Sequence, residues 1–261
     1  MKIGIIGAGL IGKCLAQKLS KKGHYIRISN SRGPATIAFA DGEAITAVEL
    51  EETVADAGLV ILTIPFGATA RLPKKLFDGL DENIPIIETM NYFPHRDGLI
   101  QEIEQGKTHS VWVQEQIGRK VVKTFSNIVA HSFIRGGLDR EAPGRIALTI
   151  SSDRQDWIEL TKQIVDETGF DGSDAGPISE SWRQQPVNPA YCADLTMEEL
   201  KEALARADRE KAIVTRNIST EKIAAFGEEY FKILISGDYT EGFEDKVVDL
   251  YRSLNDIPLR H

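Results

Sequence analysis

The first twelve residues constrain this chain more than any other stretch. Lys2-Ile3-Gly4-Ile5-Ile6 reads as a short apolar strand and runs directly into Gly7-Ala8-Gly9-Leu10-Ile11-Gly12. Leu10, Ile11, Leu15 and Leu19 then recur at helical spacing until Gly23 stops the pattern. A G-x-G-x-x-G therefore falls on a strand-to-helix turn, the context that gives each glycine a task. Gly7 permits the tight turn, Gly9 lets the backbone approach a pyrophosphate, and Gly12 lets helix and strand pack closely. The helix N-terminus offers free N–H groups and partial positive charge to the phosphates. The turn implies a bound dinucleotide.

The rest of the chain repeats the unit. Strands are expected at Tyr25–Ser29, Ala44–Ala47, Leu59–Ile64, Pro85–Met90, Lys120–Phe125 and Arg145–Ile150, with extended chain from Phe170 to Ser179. Leu59-Val60-Ile61-Leu62-Thr63-Ile64 is apolar throughout, as a parallel strand covered on both faces should be. Helices are expected over 35–40, 49–57, 72–80, 99–103 and 111–117, with Asn91-Tyr92-Phe93-Pro94 as an aromatic loop. A further helix, capped by Ser152 or Asp153, carries Trp157, Leu160, Ile164 and Val165. After the polar loop Trp182–Pro189 the chain turns helical. Thr196-Met197-Glu198-Glu199 is a capping box, and one helix carries Ile223, Phe226, Tyr230 and Ile233 as core or dimer surface. The fold class is α/β: a Rossmann-type doubly wound, mainly parallel sheet with extra C-terminal strands and a small helical C-terminal region. Residues 1–180 form the nucleotide domain (core 1–130, an added strand-helix-strand at 145–179), and 181–261 the loop and helical region.

A formal charge of −8 and a pI near 5.3 argue against a nucleic-acid binder, which needs a basic face. Cys14 and Cys192 make no metal-ligand spacing, and Cys14 reads as a small buried hydrophobe. A reducing, cytoplasmic location is the simplest expectation. The apolar run after Lys2 carries four glycines by Gly12, which argues against a targeting segment. No stretch approaches the ~20 apolar residues of a membrane span.

The second strand ends at the adenosine ribose in such folds, where an acidic residue selects a free 2′-OH. Here the place holds Ser29-Asn30-Ser31-Arg32. Ser31 can donate to a 2′-phosphate, and Arg32 can grip it with a planar, charge-assisted fork. NADP is the expected nucleotide.

Through Gly7–Gly12, Ser31-Arg32 and Phe125-Ser126-Asn127-Ile128 the chain resembles the NADPH-dependent coenzyme F-420 reductase family, whose dinucleotide domain is shared by the STEAP proteins. The resemblance covers about the first 180 residues. The Ser181–Pro186 loop and helical tail look like a subgroup known only as NADP-binding oxidoreductases. The resemblance implies an NADP site made of Gly7, Ala8, Gly9, Leu10, Ile11, Asn30, Ser31, Arg32, Thr63, Ile64, Pro65, Met90, Asn91, Asn127 and Ile128. It places an electron acceptor, such as a flavin or deazaflavin coenzyme, against the nicotinamide near 125–130. The family's deazaflavin reductases carry His-Thr-Ile-Pro after the phenylalanine, whereas this chain carries Ser126-Asn127-Ile128-Val129.

No side chain announces itself as a dedicated acid or base. Hydride transfer between two rings depends mainly on proximity and stacking. Ser126 and His131 are the candidates to consider, with Lys123 read as a strand residue. Tyr92, Ser126, Trp182 and Arg183 are the candidate acceptor contacts. Three functions stay open: reduction of a flavin-, deazaflavin- or quinone-like acceptor; reduction of an imine or keto acid, as in the pyrroline carboxylate reductases; and non-catalytic sensing of NADP. A small-molecule acceptor is the expected partner, with neither nucleic acid nor membrane, and a homodimer is plausible from the tail stripes.

Overall fold

The structure is a computed structural model and describes residues 1–40, 42–239 and 245–260. In chain order the elements are β1 (Lys2–Ile6), α1 (Leu10–Ser20), β2 (Tyr25–Ser29), β3 (Ile45–Ala47), α2 (Leu50–Val54), β4 (Leu59–Leu62), β5 (Ile86–Glu88), α3 (Pro94–Asp97), α4 (Gln101–Glu104), α5 (His109–Ile117), β6 (Val122–Lys123), α6 (Ala130–Arg135), β7 (Ala147–Ile150), α7 (Gln155–Glu167), β8 (Asp171–Asp174), α8 (Met197–Ala205), α9 (Arg209–Ala224), α10 (Gly227–Ser236) and α11 (Lys246–Leu254). Six parallel strands form one sheet in the order β3-β2-β1-β4-β5-β6, and β7 and β8 pair in parallel beside it. The chain reverses direction across the sheet between β1 and β4, so ligands belong beyond the carboxyl ends of these strands. The expected fold class is borne out.

Both faces of the central strands are dry. Ile3, Ile5, Ile28, Ile61 and Ile87 face α1 and α7, while Val60, Leu62 and Ile86 face α5. Full burial on both sides explains why β4 reads as an unbroken apolar run. The C-terminal region packs directly on this body. Ala190, Ala193, Leu195 and Leu200 close over Ala147, while Val187, Tyr191, Tyr230 and Tyr251 gather against Phe93 and Val129.

Several boundaries differ from expectation, each for a local reason. The stretch 72–80 forms turns rather than a helix, because Pro73 removes an N–H and restricts Leu72; a 3₁₀ helix at Phe66–Arg71 precedes it. Pro34 likewise limits 35–40 to a 3₁₀ turn at Pro34–Thr36. Helix α3 begins inside the supposed aromatic loop, with Pro94 in its first turn. Neither Ser152 nor Asp153 caps α7. Its N-cap is Arg154, while Asp153 Oδ1 accepts from the Ile178 N–H at 3.0 Å. Gly227 (φ +81°) divides the expected helix over 223–233 into α9 and α10. The Thr196–Glu199 capping box forms as read.

Candidate functional site

The glycine turn is a steric device. Gly7 adopts φ +115°, and a Cβ there would lie 2.5 Å from the Thr63 carbonyl oxygen. A Cβ on Gly12 would lie 1.9 Å from the Gly7 carbonyl oxygen. At Gly9 a Cβ would meet nothing within 4 Å. The first and third glycines are thus consumed by packing, and the second faces open space at the start of α1. No side chain caps α1, so its first N–H groups are left for a ligand. Thr63 Oγ1 donates to the Gly7 carbonyl at 2.6 Å and steadies the turn from β4. The residues present fit a pyrophosphate.

At the end of β2, Asn30 Oδ1 accepts from the Arg32 N–H at 2.8 Å and folds the chain into an Asx turn. Ser31 and Arg32 are exposed, and the Arg32 guanidinium has no carboxylate partner among the described residues. A charged fork held out beside the β2 terminus suits a phosphate there.

Beyond the carboxyl ends of β4, β5 and β6 lies a cavity of about 580 Å³. Its floor includes Ile11, Thr63, Ile64, Met90, Asn91, Phe125, Ser126 and Ile128, so it begins at the glycine turn. Its roof is the tail: Tyr191, Cys192, Ile223, Phe231, Leu234, Val247 and Tyr251. The far end of α10 reaches α1, for a Cβ on Gly237 would lie 3.1 Å from Leu10 Cδ2. Pro65, expected at the same site, is exposed and does not line the cavity. Asn91 Nδ2 donates to the Ser126 carbonyl at 2.7 Å, which ties the β5 and β6 ends together. The Ser126 hydroxyl and Asn91 Oδ1 are buried with no hydrogen-bond partner among the described residues.

Other site candidates lie elsewhere. Asn127 does not line the cavity. Its Oδ1 accepts from Thr149 Oγ1 at 3.1 Å, its Nδ2 donates to the Ala190 carbonyl at 3.4 Å, and its own carbonyl accepts from the Cys192 N–H at 3.0 Å. It latches the tail to the sheet. Lys123 is fully buried in β6, with Nζ 3.0 Å from Glu88 Oε1 and 2.8 Å from the Met90 carbonyl. Ser110 Oγ and the Met90 N–H complete the Glu88 carboxylate at 2.5 and 2.9 Å. His131 sits on α6, 3.6 Å from Asp245 Oδ2 and edge-on to Tyr239, outside the cavity.

Tyr92 and Trp182 also turn away from this cavity and line a smaller one of about 240 Å³ with His109, Asn188, Arg209 and Arg216. The Tyr92 hydroxyl accepts from the Ile100 N–H at 3.1 Å. Arg209 lies 4.4 Å over the Trp182 ring, and Arg183 pairs with Glu180 at 2.9 Å. His109, packed against Phe66 and Tyr92, is held well below the usual imidazole range, first by burial and then by the Lys123 and Arg216 charges. Folding then excludes a proton that the unfolded chain binds below pH 6.5. Its contribution is complete above that pH and is lost as pH falls towards the depressed value, by up to about 1.4 kcal/mol per unit. His109→Gln should therefore flatten the fall in urea midpoint between pH 6.5 and 5 relative to wild type; identical slopes would refute this.

The tail residues of the cavity were beyond sequence reasoning. Tyr191, Cys192 and Tyr251 sit in no motif, and the stripe Ile223, Phe226, Tyr230 and Ile233 read as core or dimer surface. The one nearby signal was the polar, proline-punctuated loop Trp182–Pro189.

Known proteins place these features in context. Residues 2–92 match the family model described as NADP oxidoreductase, coenzyme F420-dependent. Protein YjhV of Escherichia coli (strain K12) is 45% identical over 51 residues, 20% of this chain; the match spans 37% of that relative's length. The crystal structure of a hypothetical protein, SMa0349 from Sinorhizobium meliloti, superposes with a TM-score of 0.62 at 26% identity, over 75% of this chain and 95% of that one. A proposed F420-dependent NADP reductase from Arthrobacter sp. FB24 gives 0.52 at 21% identity, over 70% and 87%. A pyrroline-5-carboxylate reductase from Coxiella burnetii gives 0.53 at 14% identity, over 97% and 94%, so the shared fold there includes the helical tail. No helix among the described residues is long and apolar enough to cross a membrane.

Proposed function

We propose that the chain, whose residues 2–92 match the coenzyme F420-dependent NADP oxidoreductase family model, transfers hydride from NADPH to a flat, conjugated acceptor of the flavin, deazaflavin or quinone kind. One observation carries this reading: the cavity starts at Ile11 and Thr63 beside the phosphate turn and ends under an apolar, aromatic roof. A dinucleotide laid along the turn brings its nicotinamide to Ser126, with the remaining volume for the acceptor. NADPH supplies the hydride when bound. The chain's part is to hold phosphates at Gly9 and the α1 N–H groups, to grip the 2′-phosphate with Ser31 and Arg32, and to exclude water beneath α10 and α11. Such sites act by proximity and orientation.

A second reading, reduction of an imine or keto acid, is favoured by the Tyr191 and Tyr251 rings in the cavity wall. An acceptor panel with NADPH and NADH side by side tests both. Flavin- or quinone-like acceptors should support NADPH oxidation; turnover confined to ketones or imines moves the assignment to the second reading. Tight NADPH binding without turnover on any acceptor would make the chain a sensor instead.

The nucleotide preference depends on Arg32. Arg32→Glu replaces a charge-assisted contact with repulsion and should cut the kcat/KM ratio of NADPH to NADH by on the order of thirtyfold. An unchanged ratio would remove the 2′-phosphate role from Arg32.

A further inference from the structure

Backbone strain marks two segments that reach the cavity, through Phe125 and Cys192 in its lining. Among the described residues seven non-glycine positions have positive φ, and four belong to the two segments that close the site: Phe125 (+55°), Val187 (+71°), Cys192 (+50°) and Asp194 (+46°). Such conformations cost of order 1–3 kcal/mol each, most for a β-branched residue like Val187, and persist only where the surroundings over-determine them. Here the surroundings do. Asn127 bonds to Ala190 and Cys192 from one side. Arg252 Nη1 donates to the Ala193 carbonyl at 2.6 Å from the other, and its Nη2 pairs with Glu199 at 2.8 Å. The product of this effort is local. It delivers Tyr191 and Cys192 into the otherwise apolar roof of the cavity, whose floor carries Ser126.

We propose that Tyr191 is the catalytic proton donor of this site, supplying the proton that a reduced two-electron acceptor needs. The inference rests on the NADPH-dependent hydride transfer proposed above and narrows the acceptor to one whose reduced form carries a new O–H or N–H bond. As hydride, with its electron pair, adds to the electrophilic end of the C=N, C=O or conjugated system, the π pair moves onto the heteroatom at the other end. Tyr191 breaks its O–H bond and gives the proton to that atom. NADPH is oxidised, the acceptor is reduced, and the tyrosinate regains its proton from water.

The neighbourhood suits the task. The Tyr191 ring is 7% exposed and is fixed edge-on against Tyr251 at 5.0 Å, so its direction is set. Burial, with Cys192 and Tyr251 beside it, raises its ionisation well above the ordinary phenol, so the donor rests protonated and yields its proton only to the more basic heteroatom that hydride arrival creates; the Arg96 charge at the rim acts the other way, towards the tyrosinate. His131, the alternative on the sequence, lies outside the cavity.

Two measurements test this. In the first, Tyr191→Phe, which keeps the ring and the Tyr251 contact, should retain the melting temperature and NADPH affinity but lose on the order of 10²–10³ in kcat with quinone or imine acceptors. Wild-type kcat with normal affinity overturns the proposal, as does a loss that appears in Tyr251→Phe and not in Tyr191→Phe. In the second, tyrosine ionisation is followed by ultraviolet difference absorbance in the presence of NADP⁺ or NADPH. The oxidised nicotinamide is cationic and the reduced one is not, so NADP⁺ should shift one tyrosine titration downwards, absent with NADPH and absent in Tyr191→Phe. No such shift places Tyr191 away from the nicotinamide and overturns the role. A wild-type protein without turnover on any acceptor fails the proposed function alone, and the absorbance titration still decides Tyr191.

Discussion

Gly9→Ala should leave the melting temperature of the protein within a degree or two of wild type and yet weaken NADPH binding at least tenfold, whereas Gly12→Ala should damage the fold itself. The two glycines share one motif, but their surroundings are opposite. Gly9 has φ −76° and ψ −170°, an extended conformation that alanine adopts freely, and its added methyl enters open space. In the proposed function that space takes the phosphate. At Gly12 the methyl would lie 1.9 Å from the Gly7 carbonyl oxygen and 2.6 Å from Thr63 Oγ1. Neither atom can retreat cheaply, because Thr63 Oγ1 holds that same carbonyl and the Gly7 N–H is bonded to the Ser29 carbonyl at 2.9 Å. Overpacking against fixed backbone costs about 1–3 kcal/mol or more. Differential scanning fluorimetry and NADPH fluorescence titration read both outcomes. A Gly12→Ala protein with wild-type stability, or a Gly9→Ala protein with wild-type affinity, would contradict this division of labour.

Lys123→Met is expected to be the most destabilising single change in the sheet. Glu88 and Lys123 face each other in the β5–β6 register, and both are 0% exposed. Removing the ammonium leaves the Glu88 carboxylate buried with only Ser110 and the Met90 N–H for partners. Breaking such a pair costs about 3–5 kcal/mol. At ~2–4 °C per kcal/mol for a chain of this size, the melting temperature falls by on the order of 10 °C. The double variant Glu88→Gln with Lys123→Met removes both charges and should regain most of the loss. If the double variant is as unstable as the single one, packing rather than charge is what Lys123 supplies. The single variant should also weaken NADPH binding, since Lys123 Nζ holds the Met90 carbonyl where β5 opens into the cavity.

Much of the fold was legible because its determinants are local. A strand of alternating or unbroken apolar residues and a glycine at a turn each act over a few residues, so β1, α1, β2 and β4 lie where the periodicity puts them. Errors arose where proline competed with helix period, as at Leu72-Pro73 and Gly33-Pro34, and where a glycine cut a stripe, as at Gly227. The nucleotide half of the candidate site was equally readable. Gly7 to Gly12 and Asn30 to Arg32 are consecutive stretches whose conformations follow from their own residues.

The acceptor half was not. Lys123 reads as an ordinary charge on a strand until Glu88, 35 residues away, is found beside it. Tyr191 reads as an ordinary tyrosine in a loop until Asn127 and Arg252, on opposite sides of it in sequence, pin the loop over Ser126. By itself, then, the sequence determined a parallel α/β sheet with an open glycine turn and an exposed basic residue after β2, because those depend on short-range sterics and charge. Only the tertiary structure decided which side chains share the cavity. That outcome rests on contacts between segments 60 or so residues apart, which no local period records.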